Sequence, residues 1–212
     1  MPTRSRLRSL AASAAFAPLA LALALPAGLA AGISPSWTSS HKQRLAAGGV
    51  PVFHPGQDPA AGARLAAAIH VDASREDVWA VISNPGAQPE FLPGVKRSDV
   101  TQISSRSQLV DHRVKVGILP MTLSYRYRTQ QTPLQRIDFA RVSGEVRAFE
   151  GRWLLFDAPD LIGKPGTVVF YELYIDPGNG IPQKMVKQNL QKDMPDMLAK
   201  VRQRVYTVRG RA

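Results

Sequence analysis

Two hydrophobic rhythms divide the chain after residue 64. Leu65, Ala67, Ile69 and Val71 alternate with Ala66, Ala68 and His70, a period of two that predicts a strand. Asp72-Ala73-Ser74 breaks it. Ser74, with Asp77 three residues on, is a natural N-cap for a short helix over 75–83 that carries Val78, Trp79, Val81 and Ile82. Asn84-Pro85-Gly86 ends that helix, and 88–93 is a turn or second short helix bearing Phe91 and Leu92. Alternation then returns. Residues 95–103 are weakly patterned and predict an edge strand. In 108–116, Val110, His112, Val114 and Val116 oppose Asp111, Arg113 and Lys115; in 121–128, Met121, Leu123, Tyr125 and Tyr127 oppose Thr122, Ser124, Arg126 and Arg128. Residues 136–142, 147–157 and 167–176 continue the pattern, with turns at Gly144, 159–166 and 177–180. Alternation with polar outer faces predicts an antiparallel sheet covered on one side.

The second rhythm is helical. Over 181–205, Ile181, Met185, Leu190, Met194, Met197, Leu198, Val201 and Val205 fall at spacings that put most of them on one stripe. Pro195 interrupts it, and Asp193 is placed to cap a restarted helix, so a long kinked helix is expected to cover the sheet.

Upstream, 32–62 reads as an approach segment. A short helix over 41–47 is expected, capped by Ser39 or Ser40 and ended by Gly48-Gly49, followed by an edge strand over 50–53 and a loop over 54–62. Residues 1–31 read as a cleavable secretory signal: Arg4, Arg6 and Arg8 precede an alanine/leucine run, and Gly28, Ala30 and Ala31 supply a cleavage region. The expected organisation is a signal over 1–31, a linker over 32–62, a ligand-binding domain over 63–207 and a basic tail over 208–212. Export places the protein in the periplasm, with secretion as the alternative.

Composition narrows the chemistry. There is no cysteine, which excludes disulfides, thiolate catalysis and thiolate metal sites. The net charge is +11, spread along the chain; this suits a solvated basic surface or peripheral contact with an anionic membrane. No phosphate loop, zinc spacing or recognition motif supports nucleic-acid binding. His41, His54, His70 and His112 lack ligand spacing, so no metal or other cofactor is expected.

Several stretches carry a resemblance. IHVDASREDVW (Ile69–Trp79), PEFLPGV (Pro89–Val95), GRW (Gly151–Trp153), TVVFYEL (Thr167–Leu173) and Ile181-Pro182 follow the order strand, short helices, about six antiparallel strands, long C-terminal helix. Over Leu65–Val205 this resembles the START-like superfamily of polyketide cyclase/dehydrase and lipid-transport proteins (SRPBCC), nearest its coenzyme Q-binding and cyclase-type branch. The resemblance implies an α+β helix-grip (Bet v 1-like) fold, a curved antiparallel sheet around a long helix with an apolar cavity between them. It implies a lipid, quinone, sterol or polyketide ligand and supplies no shared catalytic motif. Where the family often has an aspartate after the first short helix, this chain has Ser83-Asn84.

The cavity lining expected from these patterns is His112, Tyr125, Tyr127, Phe149, Trp153, Tyr171, Met185 and Leu198, with tyrosine hydroxyls as polar handles. His112 could bond a ligand carbonyl, serve as acid or base, sit at a cavity mouth, or be bonded to backbone. Arg141 is either buried against an anionic group or at a strand end in water. The loops 85–93 and 159–166 and the kinked helix are the expected gate. The leading expectation is an exported carrier of a hydrophobic small molecule. The alternatives are a cyclase or dehydratase using His112, and an envelope interaction module with a filled core.

Overall fold

In the computed structural model, which describes residues 35–54, 58–115, 122–178 and 180–210, one antiparallel sheet curls around a long C-terminal helix. The signal expected over 1–31 lies outside the described residues, as do Val116 and Met121. The elements run α1 (Ser39–Ala46), β1 (Val52–Phe53), β2 (Ala63–Val71), α2 (Arg75–Ile82), a 3-10 turn (Pro85–Ala87), α3 (Gln88–Phe91), β3 (Val95–Ser104), β4 (Ser107–Lys115), β5 (Thr122–Thr132), β6 (Arg136–Gly144), β7 (Ala148–Asp157), α4 (Ala158–Ile162), β8 (Thr167–Asp176) and α5 (Gln183–Val208). The strand order is β1-β2-β8-β7-β6-β5-β4-β3. Hence β2, first of the long strands, closes against β8, the last, and β3 forms an edge, as its weak pattern predicts.

Local signals work where predicted. The Ser74 hydroxyl accepts from the Asp77 amide and caps α2. Gly151 in β7 lets Phe139 of β6 lie over it: a Cβ there would come within 2.0 Å of the Glu172 carbonyl oxygen and 2.6 Å of the Phe139 ring.

Four expectations need correction. The N-cap of α1 is Thr38, whose side chain accepts from the His41 amide; the serines expected to cap it are the first helical residues. The stretch expected as a plain turn at 159–166 contains α4, closed by Gly163 in the left-handed conformation at φ 67°. No restarted helix follows Asp193, since α5 runs through Pro195 as one helix. Finally, α5 continues to Val208, and Arg209 of the expected tail is anchored by the Asp77 carboxylate at 3.1 Å and the Asp72 carbonyl at 3.0 Å.

The sheet is also covered more fully than expected. Its concave face holds the main core, where Leu65, Ile69, Tyr127, Phe139, Val169 and Leu173 meet Met194, Leu198, Val201 and Val205 of α5. On the convex face of β2 and β8, Ala66, Ala68, Val168 and Phe170 pack with Leu45 of α1, Phe53 of β1 and Ala158 of α4, and Trp37 rests on them. Trp37 and Phe170 both meet Phe53 edge-on, each with ring centroids 5.3 Å from it. The outward residues of β2 are therefore buried, and their alanines are small enough to bring α1 close. Beside this cluster, Glu172, 1% exposed, bonds Arg64 at 2.8 Å and Arg152 at 2.9 Å, and Arg64 also reaches Glu150 at 3.0 Å. The ion group lets β8 carry a carboxylate on its covered face.

Candidate functional site

A cleft of about 600 Å³ opens between α5 and the concave face at the β3–β4 side of the sheet. Leu190, Met194 and Met197, at helical spacing, form one wall. Val95, Val114, Tyr171 and Leu173 form the other, and Leu92-Pro93-Gly94, the link from α3 to β3, closes one side. Lys96, Lys115, Lys200, Asp193 and Asp196 complete the lining. Partial burial, with Asp196 nearby, holds the Asp193 carboxyl above its ordinary pKa.

Behind this cleft an aromatic belt crosses β4 to β8. His112 stacks edge-on to Tyr125 and Tyr127, each with centroids 5.5 Å away. Tyr125 leads to Phe149 at 4.7 Å, Phe149 to Phe139 at 5.0 Å, and Phe139 to Tyr171 at 6.0 Å; Trp153 joins Tyr171 at 4.1 Å. Strand alternation produces the belt, since each ring is an inward position of a strand paired to the next. Burial raises the pKa of Tyr125, Tyr127 and Tyr171, so all three are neutral phenols.

His112 is 7% exposed, and burial lowers its pKa to about 4, leaving the ring neutral near pH 7. Its Nδ1 lies 3.1 Å from the Tyr125 hydroxyl, and its Nε2 has no hydrogen-bond partner among the described residues. The arrangement can hold a neutral polar group or pass a proton through a histidine–tyrosine pair.

The expected lining residues divide. Tyr171 belongs to both belt and cleft. Tyr125, Tyr127, Phe149, Trp153 and His112 form the wall behind, and Leu198 of α5 is fully buried in the core. Met185 points outward at 36% exposed; the buried side chain of that helical turn is Val186. Met194 and Met197, which with Met185 read from the sequence as a flexible apolar face suited to irregular ligands or as plain core, line the cleft, as do Leu92, Val95, Val114 and Leu190, which the sequence does not single out as lining. Their sequence signal was present in the helical stripe and in Phe91-Leu92, but which stripe residues leave a gap is not a local property. Arg141 lies half-buried near the end of β6 and donates to the Gly144 carbonyl at 2.9 Å.

The two loops expected as a gate have different surroundings. The 3-10 turn and α3 pack against β3 beside the cleft, and Arg204 of α5 pairs with Glu90 of α3 and lies over the Phe91 ring at 5.6 Å. In contrast, Ala158, Leu161 and Ile162 of α4 join the convex cluster, away from the cleft. The segment 159–167 instead borders a polar depression of about 630 Å³ with Asp72–Glu76 and Arg209. There Arg75 and Asp157 form a two-pronged pair at 2.7 and 2.8 Å. Among the described residues no group of three acidic or histidine side chains could hold a metal ion, and no helix is long and apolar enough to cross a membrane.

Known structures share this fold at low identity. A STAR-related lipid transfer protein from Xanthomonas axonopodis aligns with a TM-score of 0.62 at 17% identity, covering 74% of this chain and 93% of its own. A START superfamily protein from Mycobacterium smegmatis gives 0.57 at 17% identity, covering 68% and 98%. The Zhui aromatase/cyclase from Streptomyces sp. R1128 gives 0.54 at 14% identity, covering 68% and 94%. No curated protein matches the sequence. The sequence model of polyketide cyclase/dehydrase and lipid-transport proteins matches residues 71–202, from the end of β2 through most of α5, and the chain belongs to that family.

Proposed function

We propose that the protein binds a hydrophobic small molecule, a lipid or an isoprenoid or quinone-like compound, in the cleft between the sheet and α5 and carries it without chemical change. The observation that carries this reading is the cleft itself. About 600 Å³ is the size of a small-molecule site, and its walls are apolar, with two flexible methionines on the helix. The segment from the 3-10 turn to Pro93 is the gate, held to α5 through Arg204. Lysines at the mouth, Lys96, Lys115 and Lys200, suit approach to an anionic membrane leaflet. Export to the periplasm is part of the same proposal and is supported by the basic, apolar and small-residue succession of residues 1–31.

The test is mass spectrometry of organic extracts from protein purified without detergent, with uptake of a hydrophobic fluorescent probe as a second readout. A stoichiometric ligand, lost when Met194→Trp fills the cleft, is the expected result. Empty protein that takes up no probe would remove the reading. N-terminal sequencing of the exported protein checks the leader, and cleavage near residue 31 is expected.

The His112–Tyr125 pair favours one other reading, a cyclase or dehydratase in which His112 exchanges a proton with an apolar substrate. Recovery of a ligand chemically altered by the protein, and unaltered by His112→Phe, would select it.

A further inference from the structure

Two unpartnered polar atoms sit side by side on the inner face of β3 and β4. Ser98 and His112 are register partners, so their side chains project from the same face as neighbours. Both Ser98 Oγ and His112 Nε2 are buried without a hydrogen-bond partner among the described residues. Leaving such an atom unpaired is costly in a protein interior, and native structures carry few of them.

Of the two neutral tautomers of His112, we take the one in which the Tyr125 phenol, 3.1 Å from Nδ1, donates to that nitrogen. The single proton of the neutral ring then resides on Nε2, which becomes an outward N–H donor. Ser98 Oγ supplies a second hydroxyl donor beside it. The charged residues flanking His112, Asp111 and Arg113, alternate to the opposite face of β4. The next inward pair along these strands, Val95 and Val114, lines the cleft. The two donors therefore lie one rung beyond the cleft wall, beside the 3-10 turn and α3.

We infer that Ser98 and His112 form a neutral oxygen-binding subsite one rung beyond the cleft wall, reached from the cleft past Val95 and Val114, which receives an uncharged carbonyl oxygen, of a ketone, quinone or ester, at the buried end of an otherwise apolar ligand. The inference rests on the proposed ligand-binding function and sharpens its chemical class. Uncharged donors satisfy a carbonyl oxygen. The described residues beside the two donors on the inner face of β3 and β4, Val95, Val100, Val110 and Val114, carry no charge for a carboxylate, and a hydrocarbon would leave both donors unpaired.

A matched pair of probes tests it. The compounds 2-methyl-1,4-naphthoquinone and 2-methylnaphthalene share one apolar skeleton, and the protein has no cysteine for the quinone to alkylate. Titration of the full chain is expected to show the quinone binding about tenfold more tightly, as one or two net hydrogen bonds provide. His112→Phe is expected to remove most of that preference, and Ser98→Ala to reduce it a few-fold, while hydrocarbon affinity stays within about twofold. Equal affinities in the unsubstituted protein, a preference that survives both substitutions, or tighter binding of 2-naphthoate than of the quinone would each overturn the inference. Should a substituted chain not fold, the His112 Nε2–H resonance of the unsubstituted protein provides the second measurement. It is expected to move on adding quinone and to stay on adding hydrocarbon, and no movement with quinone bound would overturn the inference. Hydrocarbon binding without any quinone advantage removes this inference alone. Binding of neither probe removes the ligand-binding reading with it.

Discussion

His112 Nδ1 lies 3.1 Å from the Tyr125 hydroxyl, across a register pair of β4 and β5. The pair puts a titratable ring inside an aromatic wall, where water cannot reach to stabilise its charged form. The folded protein accordingly prefers neutral His112, with a pKa of about 4 against the ordinary 6.5.

This shift makes stability depend on acid. The folded pKa is depressed, so between pH 6.5 and 4 the unfolded chain binds a proton that the folded chain refuses. The His112 contribution is complete at pH 7, falls as pH drops from about 6.5, and is spent below about 4, a loss on the order of 3 kcal/mol. Urea unfolding at pH 7 and pH 4.5 checks it. The fall in unfolding free energy should be larger for the unsubstituted protein than for His112→Phe, and equal falls would contradict the assignment.

Gly151 is occupied from both sides. A methyl group there must displace the Glu172 backbone or the Phe139 ring, and backbone within a paired strand has no room to yield. Gly151→Ala is expected to destabilise the protein by about 2–3 kcal/mol or more. Thermal unfolding measures this, and an unchanged midpoint would show that the strand pair can separate.

The convex cluster makes the N-terminal segment part of the folded unit. Phe53, 5% exposed, touches Trp37, His41 and Phe170. Phe53→Ala should cost about 3–4 kcal/mol through the cavity it leaves. Amide exchange at α1 and along the outer edge of β2 should rise with it. Loss of α1 protection without global destabilisation would mean that the segment is merely laid on the sheet.

Arg204 joins the two sides of the cleft, bonding Glu90 of α3 and covering the Phe91 ring. Glu90 is exposed, so the pair itself contributes little to stability, up to about 1 kcal/mol. Its effect belongs to the gate. Arg204→Ala should accelerate release of a bound hydrophobic probe several-fold in stopped-flow measurements while shifting the unfolding midpoint only slightly. An unchanged release rate would move the gate elsewhere.

Much of the fold is legible in the sequence alone. Period-two alternation marks a strand because side chains take opposite faces in turn, and it located β2 and β4 to β8 to within a few residues, while β3 announced itself as an edge by its weak pattern. The Ser74 cap and the apolar stripe of α5 are similarly local, depending on residues three or four apart. Other features depend on partners far along the chain. Ala66 and Ala68 look like the weak side of a strand until Leu45, Phe53 and Phe170 close over them. Glu172 looks like a solvent position until Arg64, 108 residues away, meets it. Met185 and Val186 are adjacent and both apolar; only the face that α5 presents to the sheet turns one outward and the other in. Periodicity identified which residues leave water, because that is a property of neighbours on one element. Whether they then fill a core, line a cleft or leave a donor unpaired was decided by tertiary packing, because those outcomes require surfaces from separate elements to meet, and His112 owes its neutral ring and its unpartnered nitrogen to that meeting.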